Sequence, residues 1–391
     1  MKTGWHWFTT ARVRLYCQGF LMLYMAFTYL GYVRPWLTFQ RFPVTSFAVF
    51  WAGARLALAG QAAEVYQVDH LRQVILSLDP AVQGTFGWFY PPVFLLFVLP
   101  LGFMAYSIWA WLAFILPTTL AFWRVMKQAM GSQMVPLGKW ILLASPGVWL
   151  NLWHGQNGFL MTALAGATLM CLESRPLLAG VFLGCLGIKP QWAVLFPLAL
   201  AFGGYWRTLG VAALVFIGEW ALAAGIWGWD VLLAWRHGLS EAGHLIGQGG
   251  IYWTHAPTVF AALRLIGLPY WLAMTVHGLV AAGTAVTVSL VWRRRVPVAL
   301  KAAVLMTGTF LISPYLMDYD LVGLLLPGFW LARVGLRTGW RVWEREWLVL
   351  AWLLPLLCPL MTVWWPLQVG PVGVLGVLGV LVHRTRSGAA C

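Results

Sequence analysis

Long apolar runs separated by short polar islands set the pattern of this chain. Leu15 to Val33, Ala105 to Trp123, Leu209 to Gly228, Trp271 to Trp292 and Leu367 to Val382 are almost free of charge. Each approaches or reaches the roughly 20 apolar residues needed to span a hydrocarbon core. A membrane β-barrel would show strict alternation instead, and none is present. The expected class is therefore an all-α polytopic membrane protein.

The basic residues orient it. If residues 35 to 104 all lie outside, twelve crossings alternate consistently and 18 of the 25 Lys and Arg fall on the cytoplasmic side. Those 18 are Lys2, Arg12, Arg14, Arg124, Lys127, Lys139, Arg175, Arg207, Arg293, Arg294, Arg295, Lys301, Arg333, Arg337, Arg341, Arg345, Arg384 and Arg386. Such asymmetry is the positive-inside rule, and it puts both termini in the cytoplasm. No small-residue cleavage site follows the first run, so that run reads as a retained helix.

This topology requires "YPPVFLLFVLPLG" (90 to 102) to stay outside the bilayer core although it is apolar. Pro91, Pro92 and Pro100 bracket a helix of about two turns, too short to span, which is expected to lie flat on the outer face. "HAPTVFAALRLIGLPYWLAM" (255 to 274) repeats the arrangement. Two external loops follow, about 35 to 104 and 229 to 269, within one transmembrane domain covering 1 to 391. In the first, "SFAVFWAGARLALAG" (46 to 60) reads as an amphipathic surface helix closed by Gly60. "DHLRQVILSL" (69 to 78) reads as a second helix, with Asp69 as its cap.

The polar islands "HGQN" (154 to 157), "KPQ" (189 to 191) and "SPYLMDYD" (313 to 320) then all fall at outer helix ends, beside "YPP" and "WTHAP". Polar groups at membrane depth are costly, so several at one level suggest a shared water-filled cavity. Each also has a plainer reading. His154, Gln156 and Asn157 could satisfy helix ends, Lys189 could snorkel, and Asp318 and Asp320, beside Tyr315 and Tyr319, could cap a helix. Glu219, inside a crossing, is either a proton-relay group or a packing group, and Asp230 and Glu241 are expected to be solvated.

Composition agrees with a membrane protein: 61% apolar residues, 9% charged residues and a mean hydropathy of +0.78. The net charge of +14 follows from membrane orientation and gives no reason to expect nucleic acid. Five scattered cysteines (Cys17, Cys171, Cys185, Cys358 and Cys391) form neither a disulfide nor a metal pattern. No cofactor or metal is expected.

Five segments, in order, resemble glycosyltransferase family 87: "FAVFWAGARLALAGQAAEVY", "FYPPVFLLFVLPL", "HGQNGFL", "RPLLAGVFLGCLGIKPQ" and "SPYLMDYDL". The resemblance implies the GT-C fold, with periplasmic interfacial helices and an active site facing outward. It also implies a polyprenyl-phosphate sugar as donor substrate. Such enzymes act with inversion: an acceptor hydroxyl attacks the anomeric carbon while polyprenyl phosphate leaves. An acid in the first external loop serves as base in that family, immediately before the Phe that opens the loop helix. Here Ser46 stands at that place. Asp318 and Asp320 occupy the position of a histidine pair in mycobacterial relatives and are the favoured substitutes, ahead of Glu64 and Asp69. By the same resemblance Tyr90, His154, Gln156, Asn157, Lys189 and Gln191 line the donor site, with Arg55 or His255 near the phosphate and Tyr319 alongside.

The expected activity is transfer of mannose or a similar hexose or pentose to an extracytoplasmic glycan or lipid acceptor, by an enzyme of the bacterial inner membrane. The expected partners are the bilayer, the lipid-linked sugar and a glycan or glycolipid acceptor. The alternatives are a non-catalytic binder of lipid-linked sugar and a flippase or transporter.

Overall fold

The computed structural model describes residues 9–39, 42–80, 82, 87–249 and 251–386; Lys2 and Cys391 lie outside these. Every regular element among the described residues is helical. Five helices are long and apolar enough to cross a membrane: Ile108–Leu143, Trp206–Trp227, Tyr270–Trp292, Asp318–Thr338 and Glu344–Trp364. Shorter apolar helices, among them Gly158–Cys171, Pro176–Ile188, Pro190–Gly203 and Val298–Ile312, fill the bundle between them.

Local chemistry sets where these helices begin and end. Ser107, with extended backbone, receives the Ala110 amide on its hydroxyl and opens Ile108–Leu143. That helix runs well past the expected end at Trp123, because Gly131 (φ 66°, ψ 164°) bends it and lets it restart. Gly60, at φ 77°, follows the helix Phe47–Leu58 as expected of a left-handed terminator. Asp69 does not cap its helix. Val68–Leu76 begins after Gln67, so Asp69 sits exposed in the first turn, where its charge complements the helix dipole instead.

Two further expectations change. Phe47–Leu58 is not a surface helix: ten of its twelve residues are buried, and only Arg55 is exposed. Its apolar residues go all the way round, and a helix of that kind belongs inside. Pro92–Val98 is likewise enclosed, with Phe94 against Phe50 at 5.1 Å between ring centres. The helices Phe47–Leu58 and Pro92–Val98 are thus packed among other elements rather than exposed. Pro92–Val98 and Val259–Leu265 do share the expected pattern, each a short helix placed ahead of a long one.

Close approach of the helix Pro176–Cys185 to Trp206–Trp227 depends on glycine. A Cβ on Gly180 would lie 2.7 Å from the Thr208 carbonyl oxygen, and one on Gly184 would lie 2.5 Å from Val215 Cβ. Small residues one turn apart let two membrane helices pack backbone to backbone. Across the same pair, Glu219 meets Cys185, while its Oε2 is buried with no hydrogen-bond partner among the described residues. Asp230 and Glu241 are exposed.

Gly184→Leu is expected to cost about 1–3 kcal/mol through overpacking, read as a lower thermal unfolding midpoint in detergent. Gly218→Ala, where nothing lies within 4 Å, serves as the control and should leave the midpoint unchanged or slightly raised.

Candidate functional site

The site begins with the end of one helix. Pro146–His154 stops because Gly155 takes φ 60°, and the Gln156 amide reaches back to the Asn151 carbonyl at 3.0 Å. This is a glycine-terminated helix end. Gly155 has a second constraint, since a Cβ there would lie 2.6 Å from Phe47 Cβ. The sharp reversal then launches Gly158–Cys171.

Asn151 ties this turn together. Its Nδ2 donates to the carbonyls of Gly147 and Tyr319, each at 2.8 Å, and its Oδ1 accepts from the Gly158 amide at 2.9 Å. One fully buried amide thus caps the next helix and fastens the "MDYD" segment to "HGQN". In the sequence Asn151 belongs to the polar stretch "NLWHGQNGF" (151 to 159), which is expected to cap two helices, but its tie to the Tyr319 carbonyl is not readable there.

Asp318–Leu324 is a 3₁₀ helix. At three residues per turn, positions two apart lie roughly 240° round the axis, so Asp318 and Asp320 point in different directions. Asp320 Oδ1 takes the Lys189 ammonium at 2.5 Å, and its Oδ2 accepts the Met317 amide at 3.2 Å. Asp318 Oδ2 meets His255 Nδ1 at 2.7 Å, and its Oδ1 accepts the Tyr319 amide at 2.8 Å. Both acids therefore shape the helix start, and each also holds a basic side chain.

Lys189 is paired and buried, which rules out the plainer reading of a snorkelling side chain. It sits between the helices Pro176–Ile188 and Pro190–Gly203 with only 2% of its side chain exposed, and Asp320 is wholly buried. Besides Asp320, its Nζ reaches Asn157 Oδ1 at 3.4 Å. It also lies 5.1 Å from the Tyr319 ring centre and 6.0 Å from that of Tyr90. Tyr90 is fixed from behind, its carbonyl accepting from the Tyr66 hydroxyl and the Trp88 indole, both at 3.0 Å. Burial and the Asp320 charge push the Tyr90 hydroxyl well above its ordinary pKa, so it stays protonated.

The second pair is more open: the His255 side chain is 36% exposed. Its hydrogen bond to Asp318 raises the imidazole pKa above the ordinary 6.5, against the effect of burial. His154 lies within electrostatic reach of both partners. Gln156 Oε1 is buried with no hydrogen-bond partner among the described residues. Ser46 is half-buried just ahead of Phe47, and its neighbour Thr45 supplies the hydroxyl that receives the Phe47 amide. The same Thr45 hydroxyl donates to the His154 carbonyl at 3.4 Å, so Ser46 borders the site.

Two expected residues stand apart. Arg55 is exposed and donates to the Gly102 carbonyl at 3.1 Å, and Gln191 is half-buried on Pro190–Ala193 with no bond to this cluster. No group of three or more His, Cys, Asp or Glu able to hold a metal occurs among the described residues.

Fold and site together define a multi-pass helical membrane protein with a buried cation, two acids and two histidines gathered at one end of its helices. Residues 88–314 match the profile of glycosyltransferase family 87, and the chain belongs to that family. The matched stretch contains Tyr90, "HGQN", Lys189 and His255; Ser46 and the two aspartates lie outside it. No curated protein and no solved structure matches the chain.

Lys189→Met would leave the Asp320 carboxylate buried without its partner, at a cost of about 3–5 kcal/mol. The double variant Lys189→Met with Asp320→Leu should recover most of that loss in thermal unfolding. An unchanged midpoint in the single variant would mean that the pair does not hold the bundle.

Proposed function

We propose that this glycosyltransferase moves a sugar, mannose or a similar hexose or pentose, from a polyprenyl-phosphate donor to an extracytoplasmic glycan or lipid. It does so with inversion and on a GT-C fold. The observation that carries this reading is that two aspartates of one 3₁₀ helix hold a buried ammonium, Lys189, and a more open imidazole, His255. An ammonium has three donors; Asp320 and Asn157 engage two of them, and the third suits a phosphate oxygen. Tyr90 and Tyr319 bring further hydroxyls to the same point.

In this reading His255 is the general base and Asp318 orients it through Nδ1. The acceptor hydroxyl loses its proton to His255 as its oxygen bonds to the anomeric carbon. The bond from that carbon to the phosphate oxygen breaks, and polyprenyl phosphate departs with the electron pair. Asp320 is committed to Lys189, which leaves Asp318 as the member of the acid pair closer to the chemistry. This arrangement compensates for the missing carboxylate at Ser46. That same serine favours the second reading, a non-catalytic binder or flippase for lipid-linked sugar, which would release no polyprenyl phosphate from a labelled donor.

The chemistry has a pH signature. A base must be neutral, and Asp318 raises the His255 pKa above 6.5, so turnover should rise with pH through a midpoint above about 6.5. Asp318→Asn should move that midpoint down toward the ordinary value and slow the reaction. His255→Gln should cost about 10²- to 10⁴-fold in rate and abolish the limb. Turnover indifferent to both changes would remove the imidazole from the mechanism.

The membrane placement is proposed on the same footing: one domain of twelve crossings in the bacterial inner membrane, with both termini cytoplasmic and the site outward. It rests on the distribution of Lys and Arg, which gathers opposite the site. Ser77 is exposed in the first external segment. With the native cysteines replaced, Ser77→Cys should react with an impermeant maleimide on intact cells stripped of their outer layer. Reaction only after membrane rupture would invert the topology.

A further inference from the structure

A second constellation lies at the far end of the bundle. The helix Asp318–Thr338 carries the aspartates at its start and Arg333 and Arg337 at its end, roughly 30 Å away by helical rise. There the bend at Gly131 opens a cavity of about 110 Å³ between Gly131, Ser132 and Gln133 on one side and Arg333, Leu336 and Arg337 on the other. That volume is far above the roughly 10–15 Å³ that admits one water molecule.

The charge in this cavity is uncompensated. No acidic residue lines it, and neither guanidinium makes an ion pair or hydrogen bond among the described residues. The nearby acid Glu344 is already held by Arg384, at 2.7 and 2.8 Å. Arg333 is half-buried and lies against Gly131, where a Cβ would sit 3.4 Å from its Cζ. Two arginines four residues apart share a helix face and repel each other. The restart of the helix at Ser132 brings further positive potential to the same space. Membrane orientation alone would be served by exposed residues such as Arg124 and Lys127 and requires neither a cavity nor a glycine bend.

We propose that this cavity binds a phosphate group, with Arg333 and Arg337 as a guanidinium clamp and Ser132 and Gln133 as supporting polar contacts. Guanidinium matches phosphate oxygens two at a time, and a basic pocket between helices at the cytoplasmic level suits an anionic headgroup. An anionic phospholipid and free inorganic phosphate share this chemistry. The site is separate from the sugar-transfer chemistry, and its test does not depend on that activity.

Full-length protein in detergent would be incubated with phosphatidylglycerol or phosphatidylcholine and the retained lipid counted by native mass spectrometry. The wild type should retain phosphatidylglycerol about tenfold better than phosphatidylcholine, and Arg333→Gln with Arg337→Gln should reduce the ratio to about one. Should that double variant not fold, Arg337→Gln alone, at an exposed position, should lower the ratio severalfold. Millimolar inorganic phosphate supplies the other arm. Competition, or retention of phosphate by lipid-free wild type but not by the variant, would support the clamp with the free ion as ligand. Absence of competition together with an arginine-dependent lipid ratio would assign the headgroup. Equal retention by wild type and variant overturns the proposal. So does an equal loss in Arg124→Gln with Lys127→Gln, which would reduce the effect to general surface charge.

Discussion

A lysine and an aspartate 131 residues apart, brought to 2.5 Å with almost no access to water, determine what the remainder of this structure must do. Two such charges are tolerated inside only when they neutralise each other and their other polar atoms are satisfied. The molecule meets that demand from several directions. Asn157 approaches the ammonium and the Met317 amide serves the second carboxylate oxygen. The Tyr319 and Tyr90 rings close the sides. The reversal at Gly155 and the amide of Asn151 hold these parts in register.

Around this fixed pair, functional freedom is concentrated in the neighbouring one. His255 and Asp318 are bonded in a similar way, but the imidazole is far more accessible than either member of the buried pair. The 3₁₀ geometry of Asp318–Leu324 makes the division possible, because it turns two aspartates separated by one residue toward different partners. One acid consolidates the structure and the other is available to tune an imidazole.

Much of the site was legible in the sequence, since "HGQN", "KPQ" and "MDYD" stand out against their apolar surroundings and do converge. The pairing among them was not. Nothing in local spacing says that Lys189 meets Asp320 while His255 meets Asp318, since those partners come together only through the bundle. Phe47–Leu58 shows a different limit. Its polar positions are so few that periodicity offered little guide to its environment, and the layer that covers it comes from residues some 40 positions later, including Phe94 and Gly102. Asp69 shows the same limit at a helix end, because a cap and a first-turn acid stand two residues apart and look alike in sequence. The bend at Gly131 has no sequence signal of its own, because a glycine permits a positive φ without announcing that it will adopt one.

The bond from Asn151 to the Tyr319 carbonyl joins positions 168 residues apart, and this has a consequence for biogenesis. A membrane chain is inserted from its N-terminus as it is made, and its early helices wait for later ones before long-range contacts can form. Until residue 320 has left the ribosome, the Lys189 ammonium has no counter-charge and Asn151 lacks one of its partners. The nascent protein therefore holds these groups without their partners while the 131 residues from Lys189 to Asp320 are made. The missing partners arrive only with the "MDYD" segment, whose docking is the step that closes this cluster. Any quality-control factor that recognises exposed polar groups within the membrane would find its signal here, and would lose it at that step.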